Sequence, residues 1–519
     1  MEWIEDAERL RRMNAAVPEN RVRAESWIFA ILAAEIIALN IFWAPISLDF
    51  AHFAFCDNGA NLTLQYLIAH GYRPTIDFAY LYGLLPVLIG RAWFAIVGLT
   101  PFACQLLIFL CGLGIVFAFA RIAAALRFHG IAIVILIVTL WFGIHPDYPA
   151  LAQAFEALLL ALALSSQALD DRKSALILAS LAIFAKPSMG YLYGLLLVVI
   201  WFARSSAALR RSRLFPEVVL PVGITVSACA IVLSAFYGPV AVIRTVLPTE
   251  GLSTYRMQNF GFFMGSGRRF WDPAQNAWAV AAFGPLGLWI AASIFLTCAA
   301  FAAAYRLWRR SDDRDHTAEI RDEIILTCFV LHAAFVCLFF GNQWSWIYYS
   351  YFLVIGVASA ADTGPIARRA GIAICLIGAL SGSGVSYAVS NLWMTRKATP
   401  VTAQMWSQSS RAAEWSNVIN ITSGHRTTIL DTKGAAELIF PGFQPPVSLY
   451  LDPGLMLQSD IDRKVRQLAD SDLVVVPLGP VTCGEIPRAP EIQKAMLDFE
   501  PIVSGQYFVV YRHTTPSAQ

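Results

Sequence analysis

Several of the few charged residues in this chain stand where an apolar run ends. Asp57 and Asp77 lie in the segment 48–101, and Asp147 lies in the turn His145-Pro146-Asp147-Tyr148. Glu156 sits about two turns into the next apolar run. Cations occur in comparable places. Lys186 opens the break Lys186-Pro187-Ser188-Met189-Gly190, and Arg244, Arg256, Arg268 and Arg269 share the connection 237–277 with Phe260, Phe270, Trp271 and glycines at 261, 265 and 267. A partly desolvated carboxylate suits proton transfer, and Lys or Arg suits an anion on which charge develops. Each residue also has a plainer reading. Asp57 is equally a wetted helix end, Asp147 a polar turn, and Arg268-Arg269 a pair snorkelling to lipid headgroups. Asp77 is equally the N-cap of a helix beginning near Phe78. Glu156 stands apart, because an acid inside a span is costly and is usually paired or functional.

The composition says what must position these groups. The 519 residues are 57% hydrophobic, 13% aromatic and only 14% charged, against about 25% charged in soluble domains. That excludes a soluble enzyme, a disordered chain and a coiled coil, and leaves an α-helical polytopic membrane protein. The formal net charge of +2, with the basic residues scattered along the chain, predicts no nucleic-acid partner. A helix needs about 20 apolar residues to cross ~30 Å of hydrocarbon. Eleven segments are predicted as spans: 27–47, 102–120, 130–145, 150–168, 174–186, 190–203, 217–236, 278–302, 323–341, 346–361 and 371–388.

Lys and Arg set the orientation. With the N-terminus inside, the inner segments carry twenty basic residues, among them Arg121, Arg127, Arg172, Lys173, Arg204, Arg306, Arg321, Arg368 and Arg369. The outer segments before the last span carry seven. The charged leader 1–26 and the long span after it do not read as a cleavable signal. The expected location is therefore a multi-pass cytoplasmic (inner) membrane, with the N-terminus cytoplasmic and the C-terminus extracytoplasmic. The predicted organisation is a cytoplasmic segment 1–26, a multi-span domain 27–388 with outer loops 48–101 and 237–277, and an extracytoplasmic α/β domain 389–519. In that tail, strands are predicted at Thr427–Asp431, Val447–Leu451, Leu473–Pro477 and Tyr507–Arg512, with helices at Asp460–Ala469 and Ala489–Phe499. It has no glycine-rich phosphate loop and suits a lid, docking or acceptor-guiding module better than a catalytic one.

Nine cysteines form no metal-binding spacing. Cys56 and Cys483 both face outward in this topology, and their pairing is left open. Of the two glycosylation sequons, at Asn61 and Asn420, the first hugs the bilayer and is discounted. The aromatic turn Gln343-Trp344-Ser345-Trp346, with Tyr348, Tyr349 and Tyr351, reads first as an interfacial belt.

The first outer segment holds the most specific pattern. It contains Asp57-x-Gly59, then Gly71, Asp77-Phe78, Tyr82-Gly83, and Phe94 with Gly98. In this it resembles the polytopic GT-C glycosyltransferases, which use polyprenyl-phosphate-linked sugars. The departures are Asn58 where a second acid is common, Arg73-Pro74 where Pro-Tyr is usual, and a proline displaced to Pro86. The Lys186-Pro187 break and the small outward tail resemble the family more loosely.

The resemblance implies a membrane fold of about 11 transmembrane helices, outer juxtamembrane helices and a small C-terminal α/β domain. It implies transfer of a hexosyl or pentosyl group from a lipid-phosphate donor to an acceptor glycan, lipid or protein at the outer, periplasmic face. Asp57 would take the acceptor's proton, with Asp147 as the second carboxylate. Asp77, Tyr82, His145, Lys186, Arg256, Arg268 and Arg269 would hold substrate. The lipid-linked sugar is the donor and no resident cofactor is expected. Asn58 disfavours a metal-assisted variant and leaves a divalent metal open. Two alternatives remain: a transporter or flippase of lipid-linked saccharides, and an O-antigen-type polymerase or ligase. Transporters commonly carry internal repeats and mid-membrane polar sites, and neither is evident here.

Overall fold

The computed structural model describes residues 19–47, 50–55, 57–143, 150–204, 212–247, 286–309, 315–339, 343–380, 410–430, 434–449, 456–478 and 488–514. Long apolar runs form helices because, away from water, only a helix satisfies its own backbone. The first is α1 (Glu19–Ser47), followed by the short α2 (Phe50–Phe55), α3 (Asp57–Ala69) and α4 (Leu85–Val97). The bundle continues with α5 (Pro101–Ala125), α6 (Gly130–Gly143), α7 (Leu151–Ala168), α8 (Arg172–Ala185) and α9 (Pro187–Arg204). Then come α10 (Ser212–Tyr237), α11 (Pro239–Val246), α12 (Leu286–Trp308), α13 (His316–Phe339), α14 (Gln343–Ala361) and α15 (Pro365–Leu380).

Helices thus occupy all or part of each predicted span. Among the described residues four, at Pro101–Ala125, Leu151–Ala168, Ser212–Tyr237 and Ala291–Trp308, are long and apolar enough to cross a membrane by length and composition. Their surroundings differ. The α7 helix lies inside the bundle, burying Ala154, Ala157, Leu160, Ala161 and Leu164. By contrast, α10 turns Ile224, Ile231 and Phe236 outward, the face expected of a helix that meets lipid rather than water.

Polar contacts gather at the two ends of the bundle. At one end Arg204, closing α9, pairs with Glu323 and lies 3.5 Å from Glu319, both on α13, and 3.9 Å from Asp170 before α8. Arg321 reaches Asp362 at 2.9 Å and the carbonyl of Leu126. Arg306 pairs with Asp322. These turns are the ones predicted to face the cytoplasm.

The opposite end carries α2, α3, the turn at 70–84, α4, the hairpin tip between α8 and α9, and the C-terminal α/β unit. That unit comprises α16 (Ser410–Thr422), β1 (Thr427–Ile429), α17 (Ala436–Ile439), α18 (Gln458–Ala469), β2 (Leu473–Pro477), α19 (Pro490–Ala495), β3 (Phe499–Ser504) and β4 (Phe508–His513). The sheet order is β1-β2-β4-β3, with β1 and β2 parallel and the other pairs antiparallel.

One expectation for the tail needs correction. Residues 447–449 are irregular rather than strand. After two prolines, the carbonyls of Pro445 and Val447 accept from Gln467 and Arg463 side chains instead of a neighbouring strand. The helix expected to reach Phe499 continues past Ala495 as a 3-10 turn over Met496–Asp498, and β3 starts at Phe499. Pro501 is tolerated because β3 is an edge strand with a register shift at Pro501/Val503. The unit's aromatic core is not its own. Phe55 of α2 inserts against Trp415 and Phe508, with ring centroids 5.3 and 5.4 Å apart.

Candidate active site

The segment that carries the motif folds onto three neighbours, and its glycines mark where. At Gly59, two residues after Asp57, a Cβ would collide with the carbonyl of Phe53 and lie 2.7 Å from the nitrogen of Ala435. Only a bare backbone lets α3 pass between α2 and the C-terminal unit. Gly71 takes φ +86° and turns the chain at the end of α3, a conformation that costs glycine little. Thr75 holds φ +63° without that freedom. Its carbonyl accepts a 2.7 Å bond from the Arg244 guanidinium on α11. Arg244 therefore braces this turn.

Asp77 does not cap a helix in this arrangement. It accepts the Arg73 backbone N–H at 2.8 Å and the Arg73 Nε at 3.0 Å. The Arg73 guanidinium holds the Asp77 carboxyl below its ordinary value, against a smaller opposing effect of burial. Tyr82 is half-buried beside Tyr80, with their rings edge to face at 5.9 Å.

Gly83 is the tightest point. A Cβ there would clash with the carbonyl of Phe184, and the Gly83 N–H donates to the carbonyl of Ala185 at 3.0 Å. Phe184 and Ala185 end α8 and Pro187 begins α9, so Lys186 is the single non-helical residue at the tip of a hairpin. Gly190 lets that hairpin close, since a Cβ there would lie 2.6 Å from the nitrogen of Ile183. Lys186 is buried, with its Nζ 4.0 Å from Oε2 of Glu156, which is fully buried on α7. Glu156 thus belongs to the same neighbourhood as the Tyr82-Gly83 motif.

The start of α7 completes the arrangement. Its first N–H, on Leu151, donates to Oδ1 of the buried Asn61 at 3.0 Å. Asn61 stands one turn after Asp57 on α3, about 6 Å along the axis. One turn further, Gln65 donates to the Val87 carbonyl at 3.3 Å, and a Cβ at Gly90 would press on its amide. The sequence reading took Asn61 only as a discounted sequon and passed over Gln65. Their signal was the i, i+4, i+8 spacing from Asp57, which places all three on one helical face.

The structure therefore brings together the backbone of α3, Tyr82-Gly83, Lys186, Glu156 and the start of α7, four residues beyond Asp147. The Asp57 side chain, the residues His145 and Asp147, and Arg256, Arg268 and Arg269 lie outside the described residues, as do Cys56 and Cys483. Among the described residues no group of three His, Cys, Asp or Glu side chains is placed to hold a metal. The helix that begins at Asp57 is thus fastened to α7 through Asn61 and Leu151, and Lys186 faces Glu156 five residues further along α7.

No protein-family model matches the chain, and no curated protein matches it. Two solved structures are similar to it. ArnT from Cupriavidus metallidurans bound to undecaprenyl phosphate shares 13% identity at a TM-score of 0.46, covering 94% of this chain and 98% of that one. The same protein in the apo state shares 14% at 0.41, covering 92% and 96%.

Proposed function

We propose that this chain is a membrane glycosyltransferase. It moves a sugar from a polyprenyl-phosphate donor to an acceptor glycan, lipid or protein on the outer face of the membrane. The observation that carries the reading is the seat of Gly83 on Ala185. It joins the Tyr82-Gly83 motif, read from the first loop, to Lys186 at the α8–α9 tip, while Asn61 fastens the Asp57 helix to α7.

In this reading Asp57 takes the proton of the acceptor hydroxyl as its oxygen attacks the sugar C1. The C1–O bond to the phosphate breaks, and the departing phosphate keeps the electron pair. Arg256, Arg268 and Arg269 of the connection 237–277 balance that charge, with His145 and Tyr82 lining the approach. Lys186, paired with Glu156, sets the local field at the tip. Asp147 is the second carboxylate, and Asp77 acts by keeping the loop shaped for substrate. No metal is assigned a role.

The test uses the full chain in liposomes with a polyprenyl-phosphate sugar. Asp57→Asn is expected to lose at least about a hundredfold in transfer rate while inserting normally. Arg268→Ala is expected to raise the donor concentration needed for half-maximal rate. Near-normal turnover in Asp57→Asn would remove Asp57 as the base. Movement of the lipid across the bilayer without glycosidic product would replace the enzyme reading with a flippase.

A further inference from the structure

We infer that the C-terminal α/β unit is a two-point clamp on the loop that carries Asp57, with Asp460 and Arg463 as positioning residues; this rests on the reading of Asp57 as the base. The first grip is at the start of the loop. The Ala435 N–H lies 3.1 Å from both the Phe53 and the Ala54 carbonyls, and the Thr63 hydroxyl donates to the Gly434 carbonyl at 2.9 Å. Gly59 has no room for a side chain at this contact. The backbone of Gly434-Ala435 is thus pressed into the groove between α2 and α3, against the first turns of the Asp57 helix.

The second grip is on the far limb of the same loop. Asp460, at the start of α18, accepts the Ala79 backbone N–H at 3.0 Å. The Asp77 carbonyl accepts from the Arg463 guanidinium and, at 3.2 Å, from the Ser459 hydroxyl. Arg463 also lies over the Tyr72 ring, 5.1 Å from its centroid, and contacts Asp460 at 2.7 Å. One guanidinium therefore ties the carbonyl of Asp77, the ring of Tyr72 and the carboxylate of Asp460 together.

A buried ion pair joins the two grips. Lys464, the residue after Arg463, reaches Glu437 on α17 at 3.7 Å and donates to the Ile429 carbonyl at 3.1 Å. Glu437 is two residues from Ala435. The two grips are thereby linked by contacts that lie outside the loop. The loop's own backbone hydrogen bonds, such as Thr75 N–H to the Phe78 carbonyl and Asp77 N–H to the Arg73 carbonyl, are local, and the two grips span it from outside. Proton transfer to a carboxylate is sensitive to displacements near 1 Å. A clamp made of charged and backbone hydrogen bonds is a direct way to limit them.

The experiment uses the full chain in lipid nanodiscs with two readouts, amide hydrogen exchange over 57–83 and transfer kinetics. Arg463→Ala and Asp460→Ala are expected to speed exchange at Tyr72–Gly83 by about tenfold or more. The same variants are expected to lower kcat by about tenfold and leave the donor KM within about twofold. Arg463→Lys keeps the charge without the fork and should recover part of both losses. Asp460→Asn retains one acceptor for Ala79, and its effect should be intermediate, so it serves if Asp460→Ala does not fold. Arg426→Ala, which removes a pair with Asp472 instead, should leave exchange at 57–83 unchanged. Unaltered exchange in Arg463→Ala overturns the clamp, as does faster exchange with wild-type kcat. If the wild type transfers no sugar, the base reading fails, and exchange alone decides whether the clamp exists.

Discussion

Nζ of Lys186 lies 4.0 Å from Oε2 of Glu156, and the two side chains are only 7% and 0% exposed. Breaking a buried pair by removing one partner typically costs 3–5 kcal/mol, because the other charge is left in a poor dielectric. Glu156→Gln or Lys186→Met alone should each destabilise the protein by roughly that amount, read as a fall in Tm in detergent. The double variant should recover most of the stability and none of the transfer activity. Full additivity of the two losses would show that the residues are not coupled.

Gly83→Ala and Gly59→Ala should both fail sterically rather than chemically. Each new Cβ meets a carbonyl oxygen of a neighbouring segment, so a backbone must move. The expected result is a loss of about 1–3 kcal/mol in stability with transfer below a tenth of wild type. Gly98→Ala tests the argument in reverse. It has open space around it but φ +94°, and its cost should be conformational, with little change in activity.

Asn61→Ala should cost about 1–2 kcal/mol. It removes the buried acceptor for the Leu151 N–H, and lost caps and unsatisfied buried donors fall in that range. Asn61→Asp, which keeps an acceptor at the α7 start, should be the milder change. Chemical or thermal unfolding in detergent separates the two.

Stability should carry two opposed pH dependences at the interface between the loop and the tail. Burial pushes the Asp460 carboxyl up from 3.8 to about 6, against the opposing pull of the Leu457 and Ala79 N–H groups and Arg463. The folded protein thus binds this proton more tightly than the unfolded chain. The Asp460 contribution is fully present below about pH 4 and is lost as pH rises through about 6. Asp77 has the opposite sign. Its carboxyl is held low by Arg73, so its contribution is present above 3.8 and fades as pH falls below that. Tm measured from pH 3 to 8 should show a falling limb near 4 to 6 that disappears in Asp460→Asn. An unchanged limb in that variant would assign it to another group.

Local chemistry was legible in the sequence where it depended on neighbours in the chain. Glycines 59, 71 and 83 stood out as members of a motif, the close backbone approaches at 59 and 83 came only with the structure, and the Lys186-Pro187 break predicted the hairpin tip. Glu156 was recognised as out of place in an apolar helix, but its partner was not. The contacts that shape the loop were invisible for a physical reason. Asp460 to Ala79 and Arg463 to Asp77 join residues nearly four hundred positions apart, and hydrogen bonds to backbone leave no side-chain pattern at the receiving end. Residues 447–449 were misread because Val447 and Leu449 have strand character, while the preceding prolines and the reach of Arg463 decide their backbone partners. Asp77 looked like a cap because the competing partner, Arg73, lies on the N-terminal side of it.

The contact between Gly434-Ala435 and the α2–α3 junction also constrains how the chain is threaded. Two segments that touch must lie on the same side of any bilayer. Between residue 83 and residue 434 the chain must therefore traverse the membrane an even number of times. The parity is independent of the Lys and Arg distribution from which orientation was read. The ten spans predicted between the first loop and the tail satisfy it, whereas nine or eleven would tear the clamp apart. A single inserted crossing in that interval would put Asp57 and its clamp in different compartments, even with every local motif intact.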